Sequence, residues 1–293
     1  MPYEVYPWAF RQDVPFAIFE FDALDSEVLH QHGYFELVIV LDGEGLHCLA
    51  DGSFPISAGD IFALTGSEAH GYRDVHHLHL VNVLFRPEFT QPIVSLLHQL
   101  PAYRALFEIE PTYRLRNGYQ SHLHLDGEGL TTVAALVQEL SDEYAASLPG
   151  YQTMLLLLFG KLVLLLNRYY GGISKPLPSS FFRISTVLSY IDTAYASPIT
   201  LAELADIAYM SLRNFNKRFK ESMGIPPFEY LLQYRIRKGA ELLTESLLSI
   251  TEVATRVGFV DSNYFSRQFK RIMHLTPREY RTCALAAPSS TRG

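Results

Sequence analysis

Ser249-Ile-Thr-Glu252, Ala254, Phe265, Phe269-Lys270, Pro277 and Tyr280 repeat a pattern that has already run once, as Thr200-Leu-Ala-Glu203, Ala205, Phe215, Phe219-Lys220, Pro227 and Tyr230. The offset is 49 residues up to the alanines and 50 from the phenylalanines on, so one residue is inserted at the turn between them. Each copy opens on Ser/Thr-x-x-Glu, a capping box that satisfies free N–H groups at a helix start. A short apolar helix, a turn and a second helix follow, the second carrying two Phe four residues apart on one face. Two such units in tandem are two helix-turn-helix motifs, and their expected partner is double-stranded DNA.

Charge is divided in the same sense. The chain has 24 Lys+Arg against 31 Asp+Glu. Residues 1–180 hold 9 basic and 21 acidic side chains, a balance of −12; residues 181–293 hold 15 and 10, a balance of +5. A basic C-terminal part is the electrostatic footprint of a phosphate-binding module, although a solvated basic surface has the same composition. The length of 293 residues fits two domains. Two cysteines, Cys48 and Cys283, make no disulfide framework and fit a reducing compartment. No basic-then-apolar leader opens Met1-Pro2-Tyr3-Glu4. The longest apolar run, Met154 to Leu166, is interrupted by Gly160-Lys161 and falls short of the roughly 20 residues of a membrane span. A cytoplasmic protein with no membrane partner is expected.

From Phe16 to Phe85 short apolar runs alternate with turn residues. Phe35 to Leu41, Leu46 to Ala50, Ile61 to Leu64 and Leu78 to Phe85 read as strands, with Asp42-Gly43-Glu44-Gly45 and Asp51-Gly52 as turns. That spacing predicts an antiparallel sandwich or barrel. Helical periodicity takes over at Pro92 to Leu100, Leu130 to Ser147 and Tyr151 to Tyr169; the last is apolar nearly all round and must be covered by the barrel or by a second copy of the chain. Gly, Pro and Ser crowd residues 171–180, which are expected to link a domain of residues 1–170 to one of residues 181–285, with residues 286–293 a disordered tail.

The second domain reads as seven helices. Ile184, Val187, Leu188 and Ile191 form a core-facing stripe on the first. Helices are expected near 201–208, 212–222, 227–243, 250–257 and 263–273 and from Pro277 to Cys283, with Pro227 and Pro277 in first turns, where no N–H is required. In the helix after Ser211, Phe215 and Phe219 face inward, leaving Arg213, Asn214, Asn216, Lys217 and Lys220 outward. In the helix expected to be capped by Ser262, Phe265, Phe269 and Ile272 face inward, and Asn263, Ser266, Arg267, Lys270 and Arg271 face outward. Arg and Lys reach guanine acceptors in a major groove, Asn reaches adenine, and Ser reaches either.

Gly258-Phe259-x-Asp261-x3-Phe265-Ser266-x2-Phe269-Lys270-x5-Thr276-Pro277-x2-Tyr280-Arg281 resembles the signature of AraC/XylS-type transcription activators. The resemblance covers about residues 183–282. It implies a monomeric seven-helix unit that binds promoter DNA and recruits RNA polymerase. Carried over by position, base contact falls to Arg213, Asn216 and Lys217 in the first helix and to Ser262, Asn263, Ser266 and Arg267 in the second. Lys220, Lys270 and Arg271 are left to touch phosphates, which position a protein without specifying sequence. His274 departs from the family pattern, which has Gly after the second recognition helix; it must either tolerate a positive φ or end the helix differently.

Ten of the eleven histidines lie in residues 1–124. His30-x-His32-x3-Glu36-x6-Gly43 resembles the first cupin motif; Ala58-Gly59-Asp60 makes a tight turn, and His70 stands where a last ligand would be. The resemblance implies an α+β chain: a cupin-like antiparallel β-barrel with flanking helices, then the all-α domain. His30, His32, Glu36 and His70 read in two ways. They suit a divalent metal, with Zn, Ni, Fe and Mn all fitting the donor set. They equally suit the polar lining of an effector pocket, with Phe35, Phe62 and Tyr72, that requires no cofactor. His76, His77 and His79 alternate on a strand and are expected to be partly exposed; these three, His47, His122 and His124 are assigned no role. The N-terminal part from His30 to Phe85 also resembles the sensor domains of the rhamnose regulators, which implies a sugar-like effector.

The reading that gathers these features is an effector-responsive transcription activator, working as a homodimer, that is not an enzyme. A metal-dependent cupin enzyme with an appended DNA-binding domain, and a constitutive DNA-binding protein whose barrel serves only dimerisation, are the competing classes.

Overall fold

Alternate residues of one long strand serve two different cores, because successive side chains of a strand point to opposite faces. In the strand Phe35–Leu49, Leu37 and Ile39 join a core shared with helices, while Val38 and Val40 join a separate core on the other face. The computed structural model describes residues 3–4, 10–25, 29–50, 52–65, 69–109, 123–171 and 180–286. It divides into two units, Met1–Ser189 and Tyr190–Gly293. Residues 172–179 of the expected linker and 287–293 of the expected tail lie outside the described residues, as do His122 and the side chain of Cys283.

The first unit is an eight-stranded sheet: β1 Tyr3–Glu4, β2 Phe16–Asp22, β3 His30–Gln31, β4 Phe35–Leu49, β5 Gly52–Ser57, β6 Asp60–Thr65, β7 His70–Phe85 and β8 Leu123–His124. Hydrogen bonding follows the order β1-β3-β7-β4-β6-β8, with β2 on β7 and β5 on β4. Every pair is antiparallel except β1 with β3. The turn expected at Asp42–Gly45 is instead a bulged continuation of β4: register shifts fall between Val40 and Leu46, and Gly43 takes φ +76 against the backbone of His77. Bulges of this kind bend a strand without ending it. The tight turn at Ala58–Asp60 is present, with Gly59 at φ +96 and the Ser57 N–H donating to Asp60 Oδ2 at 2.7 Å.

One face of the sheet is covered by α1 (Gly127–Ala146, capped by Asp126 accepting from the Gly129 N–H at 2.9 Å) and α2 (Tyr151–Gly171). Phe16, Phe85, Phe89 and Phe159 interlock there, Phe85 to Phe159 at 4.8 Å between centroids. α2 buries Leu155, Phe159, Leu162 and Leu166 but leaves Met154, Leu157 and Leu164 exposed. The single helix expected over Pro92–Leu100 is broken into short helical pieces at Pro87–Thr90, Gln91–Ile93, Val94–Leu97 and Pro101–Arg104. Pro101 holds the residue before it out of helical backbone, Leu100 taking φ −92 and ψ 111, which closes the segment. Among the described residues no helix is long and apolar enough to cross a membrane.

Seven helices follow: α3 Ser180–Ala194, α4 Leu201–Ile207, α5 Leu212–Met223, α6 Pro227–Glu245, α7 Ile250–Arg256, α8 Ser262–Met273 and α9 Pro277–Ala286. The division between the units falls inside α3, whose Ile184, Val187, Leu188 and Ile191 are fully buried. The duplication read from the sequence is physical. Both capping boxes close, Thr200 with Glu203 and Ser249 with Glu252. Phe215 meets Phe219 at 5.6 Å and Phe265 meets Phe269 at 5.5 Å; Phe219 then meets Tyr230 at 5.6 Å and Phe269 meets Tyr280 at 5.4 Å. Pro227 and Pro277 stand at first helical positions.

Candidate DNA-reading surface and interior polar cluster

The turn inside each helix-turn-helix is set by backbone hydrogen bonds. In the first copy the Tyr209 N–H donates to the Asp206 carbonyl at 2.9 Å and the Met210 N–H to the Ala205 carbonyl at 3.0 Å. In the second the Gly258 N–H donates to Thr255 at 3.1 Å and the Phe259 N–H to Ala254 at 2.9 Å. Tyr209 and Gly258 are equivalent, and both have positive φ, +51 and +85. The inserted residue is Val260, which is fully exposed.

Each second helix buries its two Phe and turns its polar residues outward. On α5, Arg213, Lys217 and Lys220 are exposed and Asn216 is half-buried, its amide donating to the Leu212 carbonyl at 2.9 Å. On α8, Asn263, Arg267, Lys270 and Arg271 are exposed, while Ser262 and Ser266 are half-buried, the Ser266 hydroxyl donating to the Ser262 carbonyl at 2.9 Å. The cap differs from expectation: Asp261, not Ser262, is the N-cap and accepts from the Asn263 N–H at 2.8 Å, and Ser262 is the first helical residue. An aspartate is as good a cap as a serine, and the adjacency hid it. Arg271 is held by Glu229 of α6 at 2.9 Å, and Lys217 lies 3.8 Å from Glu221. Among the described residues Arg213, Lys220, Arg267 and Lys270 make no ion pair within 4 Å, so their charge faces solvent. Arg281, which ends the signature, serves the fold: its guanidinium donates to the Leu243 and Leu248 carbonyls at 3.1 and 2.6 Å and ties down the segment ahead of the second motif.

In the first unit, the face of the sheet away from α1 and α2 carries Val38, Val40, Phe54, Ile56, Phe62 and Tyr72. A polar group is set into this apolar face. His32, Glu36 and His70 are buried, with ligand-type atoms all within 4.8 Å of one another. His32 Nε2 lies 2.5 Å from Glu36 Oε2, and His70 Nε2 lies 3.8 Å from the same oxygen. The second Glu36 oxygen accepts from the Asn82 amide, and His32 Nδ1 is 3.1 Å from the Tyr34 carbonyl. Burial alone would raise the Glu36 carboxyl. The His32 hydrogen bond and the imidazoles of His70, His32 and His30 outweigh it and hold the carboxyl below its ordinary value. Burial lowers half-buried His30 despite Glu36, and it raises the Tyr72 hydroxyl well above 10.

Of the residues expected in the pocket, His30, His32, Glu36, His70, Phe62 and Tyr72 share this face. Phe35 does not. One residue before Glu36, it points to the other side and packs on Phe85 at 5.3 Å and Phe107 at 5.9 Å. His30 lies beside His70 at 4.1 Å between ring centroids, the rings tilted by 58°, but stands outside the close trio.

With both sites in view, the comparisons decide the family. Residues 204–282 match the model of a helix-turn-helix domain and residues 20–149 that of an AraC-like ligand binding domain. The HTH-type transcriptional activator RhaR of Escherichia coli (strain K12) is 32% identical over 253 residues, 86% of either chain; that of Shigella flexneri is equally similar. The chain belongs to the AraC family of transcription regulators. It is a sequence-specific DNA-binding regulator with an N-terminal ligand-binding domain. Among solved structures, the C-terminal domain of the response regulator YesN from Fusobacterium nucleatum is 36% identical and covers 32% of this chain and 93% of that one; its TM-score of 0.32 adds nothing to the assignment.

One histidine assigned no role from the sequence belongs to this inner face. His47 is fully buried, 5.8 Å from His70, 5.5 Å from Tyr72 and 4.8 Å from Phe62 between ring centroids. Strict alternation from Glu36 would put position 47 on the other face; the bulges after Val40 reverse the parity. Pairing with Phe54 and Tyr72 is what places it inside. His79, assigned no role, bridges Glu20 at 2.9 Å and Asp22 at 2.8 Å on the surface of the sheet, and exposed His124 meets buried Asp60 at 2.6 Å. His76 and His77 are exposed, as expected.

Proposed function

We propose that this regulator activates transcription on binding a small polyhydroxylated, sugar-like molecule against the polar inner face of its sheet, and that it works in the cytoplasm as a homodimer that engages RNA polymerase at a promoter. The observation that carries the reading is the doubled helix-turn-helix with two outward faces of Arg, Lys and Asn. In this reading Arg213, Asn216 and Lys217 of α5 and Ser262, Asn263, Ser266 and Arg267 of α8 meet base edges, while Lys220, Lys270 and Arg271 meet phosphates. α6 has 19 residues and is roughly 28 Å long at 1.5 Å per residue, close to the roughly 34 Å between successive major grooves. Activation is supported by the relatives, whose name is that of an activator. The sugar is supported by a face that sets imidazole, amide, carboxylate and phenol groups among aromatic rings, the chemistry that hydroxyl groups bind. In this reading the first unit senses and does not catalyse.

Footprinting on the DNA flanking the gene, with and without a panel of sugars and polyols, tests the whole reading. One member of the panel should both raise the melting temperature and alter the protected pattern. Protection that no sugar changes would leave a constitutive DNA binder. Dimerisation has its own test, because Met154, Leu157 and Leu164 form an exposed apolar stripe on α2. Leu157→Glu with Leu164→Glu should convert a dimer to a monomer by light scattering; an unchanged mass places the interface elsewhere.

A further inference from the structure

The inner-face trio has a geometry that an effector pocket does not require. The geometry points to a binding site for one divalent first-row transition-metal ion, with His32, Glu36 and His70 as its protein ligands. An ion with bonds of about 2.1 Å holds its ligand atoms about 3.4 Å apart when tetrahedral. His32 Nε2 and His70 Nε2 approach one oxygen, Glu36 Oε2, at 2.5 and 3.8 Å, which straddles that spacing. At 3.8 Å His70 is beyond hydrogen-bond range of the oxygen but within reach of an ion shared with it.

The surroundings are arranged as ligands require. A metal-bound imidazole donates its other ring N–H to an oxygen, which fixes the tautomer and bares the ligating nitrogen. His32 Nδ1 is so placed, 3.1 Å from the Tyr34 carbonyl, and its ring lies flat on the Tyr34 ring at 4.1 Å. With Nδ1 donating, a neutral His32 turns a lone pair toward the carboxylate, and a cation between them removes the clash of two acceptors. Asn82 occupies Glu36 Oε1 and leaves Oε2 for the ion. Two imidazoles and one carboxylate select Zn2+, Ni2+, Fe2+ or Mn2+ over Ca2+ and Mg2+, which require more oxygen ligands. Three protein ligands leave further positions for water or for hydroxyl groups of a small molecule. His30, half-buried beside His70, is then a neighbour of the site and not one of its three ligands. The competing arrangement is a direct hydrogen bond between His32 Nε2 and Glu36 Oε2, which are 2.5 Å apart.

The test uses the full chain, stripped with a chelator and titrated with Zn2+, Ni2+, Mn2+ or Co2+. Elemental analysis should return one ion per chain, Co2+ should develop visible absorption, and saturation should raise the melting temperature by about 5 °C. Glu36→Gln, which keeps an oxygen for Asn82, and His70→Ala should each lower affinity at least ~100-fold while circular dichroism stays unchanged. His79→Ala, on the surface, should bind as the parent does. Three results overturn the site: no ion retained by the parent, equal binding by parent and Glu36→Gln, or loss of binding in His79→Ala, which would make it an adventitious surface ion only. If both inner variants unfold, Co2+ absorption in the parent alone decides, since bands without nitrogen coordination refute the trio. DNA binding measured on the same samples keeps the two ideas apart: a chain that footprints on DNA but takes up no ion refutes this site and leaves the regulator standing.

Discussion

The two helix-turn-helix copies solve the same backbone problem with their glycines exchanged. In the first, Tyr209 holds the positive-φ place in the turn and Gly224 the positive-φ place that ends the second helix, at +51 and +77. In the second, Gly258 holds the turn at +85 and His274 the helix end at +61. The hydrogen bonds match in both, down to the N–H of Gly224 on Lys220 at 2.8 Å and of His274 on Lys270 at 3.0 Å. Positive φ is therefore demanded at all four places by the path of the chain. Glycine is demanded only where a side chain has nowhere to go. Tyr209 is 81% exposed, whereas a Cβ on Gly258 would stand 2.7 Å from the Ala196 carbonyl oxygen.

The sharpest way to break that comparison is to place alanine in both turns. Gly258→Ala meets backbone that does not yield as well as an unfavourable φ, and should cost about 3 kcal/mol. Tyr209→Ala exchanges one non-glycine residue for another at an exposed place and should cost less than about 1 kcal/mol. Chemical denaturation of both variants checks the difference. A cost for Gly258→Ala of only about 1 kcal/mol would mean that φ alone, and not the contact with Ala196, selects glycine. DNA affinity should follow the same order, since Gly258 lies in the turn that leads into α8.

A middle-sized effect probes whether the two outward faces read DNA in the same manner. Arg267→Ala should weaken binding to the operator by about 1–3 kcal/mol and flatten the preference at one base pair. Lys270→Ala should weaken binding about evenly across sequences and reduce the slope of log affinity against log salt by about 1. Arg213→Ala in the first copy should behave like Arg267→Ala. Affinity measured over a set of operator variants at several salt concentrations separates the three, and a uniform loss for Arg267→Ala would reassign it to the phosphates. Arg271 should matter least among these cations, because Glu229 already holds it.

What was legible in the sequence follows the range of the forces involved. Capping boxes, Phe pairs four apart and first-turn prolines act within one turn of helix, so Thr200, Ser249, Phe215 and Phe265 could be read directly, and the duplication confirmed each reading against its copy. The interior cluster was legible only as far as strand alternation held. Glu36, Phe62 and Tyr72 do share one face of the sheet, but Phe35 was assigned to that face although it neighbours Glu36 on the same strand, where adjacent side chains must diverge. His47 was lost to bulges whose position depends on pairing with β7, and no local pattern marks them. The helix expected from Pro92 was cut short for a local reason that the sequence does carry: Pro101 drives Leu100, the residue before it, into extended backbone.

The smallest effect concerns the exchange at the helix ends. A non-glycine residue at left-handed φ costs roughly 1–2 kcal/mol, partly offset because glycine loses more freedom on folding. His274 is exposed and ends α8 with its N–H on Lys270, so replacing its side chain removes strain and no burial. His274→Gly should therefore stabilise the chain by about 0.5 kcal/mol, with DNA affinity unchanged. The converse, Gly224→His, should destabilise the first copy by a similar amount if the two ends are equivalent. A loss of DNA affinity in His274→Gly without loss of stability would show that the imidazole faces the duplex, and the departure from glycine would then belong to recognition and not to the fold.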